Sequence, residues 1–149
     1  MSRNFDGVND NISFGSDTSV DGFVSLTLSL WINKGAIPNA NMTLCAKGRA
    51  LDVFGFAINT ASQLDWGRSW SGCDGKWTAS SATVIAGTPT HVVLTYNGAA
   101  PTNNPVIYIN GASIALSRSA SPTTNLLSDA ANSLIIGENS NGTQDYTGL

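Results

Sequence analysis

The residues best suited to recognition chemistry crowd into one short stretch, Asp65-Trp66-Gly67-Arg68-Ser69-Trp70 followed by Cys73-Asp74-Gly75-Lys76-Trp77. Three of the four tryptophans fall there, interleaved with both signs of charge. Indole faces stack on the apolar patches of sugar rings, and Asn, Asp and Arg supply the hydrogen bonds that orient hydroxyls. Trp66 and Trp77 read as packing between layers. Trp70, in Ser-Trp-Ser-Gly, reads as the exposed member, with Arg68 and Asp74 as polar company. Trp31 is a fourth ligand-binding candidate because it alternates with Leu30 and Ile32 and so faces away from them. It lines a groove on an outer sheet face, or a loop covers it.

Catalytic arrangements are hard to assemble. A retaining glycosidase needs two carboxylates about 5–5.5 Å apart, and strand positions i and i+2 or i and i+4 would put both on one face. The pairs Asp6/Asp10 and Asp17/Asp21 lie instead in turn-rich sequence, where such acids cap and shape turns. His91 is the only histidine, at a strand start opposite the face of Val92 and Leu94, so it reads as structural. There is no Gly-Lys-Ser/Thr phosphate loop. The expectation is a non-enzyme. For a metal, Asp10, Asp17, Asp52 and Asp129 are the loop-like carboxylates that calcium would use, although no compact run of alternating acids frames them. Calcium is the one cofactor left open. Cys45 and Cys73 match no metal spacing; they read as two free thiols, one buried in a strand and one near a loop, or as a disulfide adding roughly 3 kcal/mol.

What must position these residues is a set of short strands. Leu26, Leu28, Leu30 and Ile32 alternate with Thr27, Ser29, Trp31 and Asn33, and Val92, Leu94 and Tyr96 with His91, Val93 and Thr95. That period of two marks half-buried strands. Asn110-Gly111 tolerates positive φ and joins Ile107–Asn110 to Ile114–Leu116 as a hairpin. Further strands are expected near Ile12–Phe14, Leu44–Lys47, Val53–Ile58, Gln63–Arg68, Thr83–Ile85 and Leu134–Gly137, with Asn97–Asn104 and Ser117–Asn125 as surface loops. About ten short strands in 149 residues, with no helix of useful length, predict one all-β sandwich, barrel or jelly roll. Only 11% of residues are charged and the net charge is −3, which leaves no electrostatic footprint for nucleic acid. Apolar runs are too short for a membrane span, and no apolar leader follows Met1.

The motifs, taken in order, resemble the laminin G-like domains of the concanavalin A-like lectin and glucanase superfamily. Phe5-Asp6-Gly7-Val8-Asn9-Asp10 with Ile12 is similar to their opening segment, and Leu26–Ile32 to their Trp-bearing strand. Thr90-His91-Val92-Val93-Leu94-Thr95-Tyr96-Asn97-Gly98, Ile107-Tyr108-Ile109-Asn110-Gly111, Leu134-Ile135-Ile136-Gly137 and Tyr146-Thr147-Gly148-Leu149 follow in the family's order. The resemblance implies an antiparallel two-sheet jelly-roll β-sandwich spanning residues 1–149 as a single domain. Two departures stand out: Pro89 where the family carries Trp, and a chain that stops at Leu149, where the family continues into a closing strand. By the resemblance that strand pairs beside the N-terminal one, so the strand around Phe5 is expected to lack its neighbour. Related glucanases carry two Glu on one strand with an Asp between; here Glu138 stands alone.

The resemblance implies adhesion or glycan binding. With a Met1 start and a surface poor in charge, the leading expectation is a bacteriophage virion surface protein, as capsid decoration or tail fibre. Its partners would be glycans or neighbouring structural chains, in a homo-oligomer or larger assembly. The alternative is a carbohydrate-binding module of a secreted or cell-surface bacterial protein; a glycoside hydrolase is the remote one.

Overall fold

The computed structural model describes residues 3–36, 40–48, 53–81, 84–139, 142 and 144–148. Short strands β1 (Phe5–Asp6) and β2 (Ile12–Ser13) precede the long β3 (Ser25–Ile32). Then β4 (Met42–Lys47), β5 (Phe54–Ile58), β6 (Leu64–Arg68) and β7 (Gly75–Ala79) form a meander. After β8 (Thr90–Asn97), β9 (Val106–Ile109) and β10 (Ala112–Ser113) come β11 (Leu116–Ala120), β12 (Leu134–Ile136) and β13 (Thr147–Gly148). The only helical piece among the described residues is a 3-10 turn at Thr18–Val20, begun by Asp17, whose side chain accepts from the Ser19 N–H.

The strands pair antiparallel into a seven-stranded sheet, β11-β7-β6-β5-β4-β12-β2, and a four-stranded sheet, β10-β9-β8-β3. They stack as the two layers of a jelly-roll sandwich. The alternation read from β3 and β8 is the reason. Val92, Leu94 and Tyr96 are buried while His91, Val93 and Thr95 are half-exposed. From the larger sheet Trp66 and Trp77, paired across β6 and β7, meet the ring of Tyr96 at 5.7 and 5.6 Å between centroids. Such aromatic contacts contribute about 0.5–1.5 kcal/mol each beyond burial, and they lock the two layers in register. Both tryptophans are core, as their sequence setting indicates. The central strands β5 and β6 are buried at every position.

Four expectations change. The strand at Phe5 has a neighbour, because Phe5 pairs with Gly148 and Asp6 with Thr147. The hairpin at Asn110-Gly111 forms, with φ of 49° and 83°, but its second strand is Ala112–Ser113 and Leu116 crosses to the other sheet. Ser117–Asn125 is not all loop: Leu116–Ala120 pairs with β7 as an edge strand. Its Ser-Arg-Ser polarity suits an edge, where exposed charge discourages pairing with other chains, and that polarity hides the strand from a hydrophobic pattern. No strand forms at Val84 and Ile85, while Thr83 lies outside the described residues. Cys45 and Cys73 are both free, one buried in β4 and one exposed in a turn.

Candidate functional site

The face of β3 turned away from the core carries Ser25, Thr27, Ser29 and Trp31. Across the β3–β8 ladder these stand opposite Asn97, Thr95, Val93 and His91. Strand β9 adds Val106 beside Thr95 and Tyr108 beside Val93. The result is an open sheet face of hydroxyls and amides with an aromatic head. Trp31 is 72% exposed, so no loop covers it. Its ring stacks on the His91 imidazole, 5.1 Å between centroids and 28° between planes. His91 is itself held: its Nε2 shares a hydrogen bond with Ser29 Oγ at 3.0 Å, and its main-chain N–H donates to Asn110 Oδ1 at 2.9 Å. The indole is therefore braced before any ligand arrives.

At the other end of the same face, Ser25, Thr27, Thr95, Asn97, Asn104 and Val106 line a shallow trough of about 500 Å³. Ser25 Oγ donates to Asn97 Oδ1 at 3.1 Å, which fixes that amide. From Ser25 to Trp31 the strand runs about 20 Å, the length of several sugar units. None of the residues named on this face is Asp, Glu, Lys or Arg. Chemically it can stack an apolar ring patch and exchange hydrogen bonds with hydroxyls. Ser29 and His91 are spaced like a nucleophile and its base, and they lie toward one end of the β3–β8 ladder, where the His91 main-chain N–H is taken by Asn110.

The other ligand candidates do not join Trp31, because they belong to the seven-stranded sheet and the turn after β6. Trp70 is buried at 4% exposure, contrary to its loop-like sequence, since its backbone bridges to Leu126 and draws the indole into the core. Arg68 is also buried. It donates to Asp129 Oδ2 at 3.4 Å and to the Phe23 carbonyl at 3.3 Å, with its guanidinium 5.5 Å from the Phe54 ring centre. Burial pushes the Arg68 pKa down, opposed by the charge and hydrogen bond of Asp129. Asp74 is exposed, but its carboxylate accepts the Trp70 N–H at 3.2 Å and shapes the turn. Sequence reasoning placed Trp31 outward and missed His91 as its stacking partner. The signal was available, since both occupy outward positions of strands that the same alternation identifies.

The proposed calcium ligands lie apart. Asp10 accepts from Arg3 and from the Asp6 N–H, both at 3.0 Å. Asp17 caps the 3-10 turn, and Ser19 holds its pKa below the usual value. Asp129 is fully buried between cations: Lys47 Nζ at 3.3 Å and Arg68, with the Gly22 N–H donating at 2.6 Å. Lys47 also pairs with Asp21. Burial would raise the Asp129 pKa, yet the Gly22 N–H and Lys47 outweigh it and the net direction is down. Asp52 lies outside the described residues, and among those described no three His, Cys, Asp or Glu converge. Glu138 accepts from Asn11 Nδ2 at 2.5 Å. Among the described residues no helix is long and apolar enough to cross a membrane.

The two-layer antiparallel sandwich defines a concanavalin A-like domain. The chain belongs to the concanavalin A-like lectin/glucanases superfamily, whose laminin G family model matches residues 6–149. Two solved structures of the Ruminococcus gnavus IT-sialidase CBM40, one of them bound to alpha2,3 sialyllactose, are similar in fold. Each has a TM-score of 0.68 and 13% identity, with 98% of this chain and 85% of that chain covered. No protein of curated function matches the sequence.

Proposed function

We propose that this chain is a non-catalytic carbohydrate-binding module, and that it holds glycans on the outer face of the four-stranded sheet. One observation carries the reading: Trp31, 72% exposed and stacked on His91, heads a face of hydroxyl and amide side chains. A large exposed aromatic costs the fold hydrophobic burial, and a braced one makes a rigid stacking platform that loses little conformational freedom on binding. The fold shared with a sialidase CBM40 agrees with this reading. An extracellular or cell-surface setting accompanies it, whereas the virion setting expected from the sequence draws no support from these neighbours.

A glycan array probed with the labelled wild-type chain and with Trp31→Ala tests the reading. The expected result is binding to a defined set of oligosaccharides, weakened about two- to tenfold by Trp31→Ala, the scale of a lost stacking contact. Binding that Trp31→Ala leaves untouched, or no binding to any glycan, would overturn it.

A further inference from the structure

Next to the hydroxyl trough lies a second cavity of about 420 Å³, at the mouth between the two sheets. The two share Asn104 and Val106, so one surface runs continuously from the β3–β8 ladder into the gap. Inside the second cavity are Arg118 and Ser113, with Ile114 and Leu116 as its apolar wall. Arg118 stands opposite Trp77 in the β7–β11 ladder, which puts its side chain on the inward face at the sandwich edge. Asn104 Oδ1 accepts from Trp77 Nε1 at 2.9 Å, leaving the amide's N–H groups free to donate.

Arg118 differs from the other described cations. Arg3 pairs with Asp10, Lys47 and Arg68 with buried carboxylates, and Lys76 with Asp65, while Lys34 is buried against Ser62. Arg118 is exposed, and no ion pair among the described residues neutralises it. A guanidinium is a rigid, always charged fork that grips carboxylates and other oxyanions through two parallel hydrogen bonds. Set in a cavity with hydroxyl and amide donors on one side and aliphatic carbon on the other, it fits a sugar carrying both an acidic group and an apolar substituent.

We infer that this cavity is an anionic subsite: a glycan lying along the outer face places an acidic sugar unit against Arg118, with Asn104 and Ser113 bonding the neighbouring oxygens. The inference rests on the carbohydrate-binding reading and adds to it the charge class of the ligand. Wild-type chain, Arg118→Gln and Trp31→Ala are compared on an array holding the same oligosaccharide backbones in neutral, carboxylated and sulfated forms. The expected wild-type result is a preference of about three- to tenfold for acidic over neutral forms, the range of a partly exposed charge-assisted pair. The carboxylated and sulfated arms tell which oxyanion the site takes. Arg118→Gln should erase the preference and leave neutral binding intact, and Trp31→Ala should weaken all forms together. Equal wild-type binding of acidic and neutral forms, or a preference that survives Arg118→Gln, would overturn the subsite while leaving the module reading standing. Absence of any glycan binding by the wild-type chain would overturn both.

Discussion

Arg68 and Trp31 sit in two regions of opposite chemistry. Around Arg68, charge is turned inward. Lys47, Arg68, Asp21 and Asp129 form a neutral knot under the loops, tying residues 21–23 and 129 to the ends of β4 and β6. Around Trp31 the chemistry is turned outward, with an indole in solvent over a sheet face that carries no formal charge. Burying charge is expensive, and a paired knot is retained where it holds segments in place rather than where it binds. Leaving a tryptophan in water forgoes burial without any structural return. One region therefore uses its charges for architecture, and the other leaves an indole in solvent, which the proposed glycan binding would explain.

The largest effect expected is at the knot. Asp129→Ala strands Arg68 and weakens the hold on Lys47, and should cost about 3–5 kcal/mol in urea unfolding, with glycan affinity of the folded fraction unchanged. A small loss of stability, or a loss of affinity at full folding, would break the division between the two regions. A pH series sharpens it. The Asp129 pKa is lowered from its ordinary 3.8 on folding, so its contribution is complete above that value and disappears as pH falls through the lower folded-state value. Wild-type stability should thus decline as pH drops below about 4, and an Asp129→Asn chain should decline less steeply. The smallest effect concerns the thiols. Burial pushes the Cys45 pKa up to about 12, while Cys73 is exposed in the turn. A thiol reagent should titrate one cysteine in the native chain and two in denaturant; two native equivalents would mean that β4 is looser than its packing implies.

How much of this was legible follows from how local each signal is. The outward placement of Trp31 was readable because Leu30 and Ile32 flank it, and a strand's period of two does the rest. The core roles of Trp66 and Trp77 could be read as well. Trp70 could not, because its burial depends on Leu126, a bridge partner far along the chain, while its local Ser-Trp-Ser-Gly looks like a loop. Arg68 was misassigned for the same reason: its partner, Asp129, is 61 residues away, and a lone arginine beside tryptophans is indistinguishable from a ligand contact. Strand β11 was missed because an edge strand needs only one apolar face and protects itself with polar residues. Turn-capping acids and metal-ligating acids are the same residue type in a sequence, so the hydrogen bonds of Asp10 and Asp17 and the ion pairs of Asp129 could not be read from it.

A glycan held on the outer face of the four-stranded sheet would meet the indole of Trp31 and no other. The chain has four tryptophans, and each gives one indole N–H resonance in a ¹⁵N-labelled sample. Titration with an oligosaccharide selected on the array should shift the Trp31 resonance, assigned by its loss in Trp31→Ala, while those of buried Trp66, Trp70 and Trp77 stay in place. A Trp31 signal that remains still while the chain binds sugar, or a shift centred on Trp70, would contradict the account.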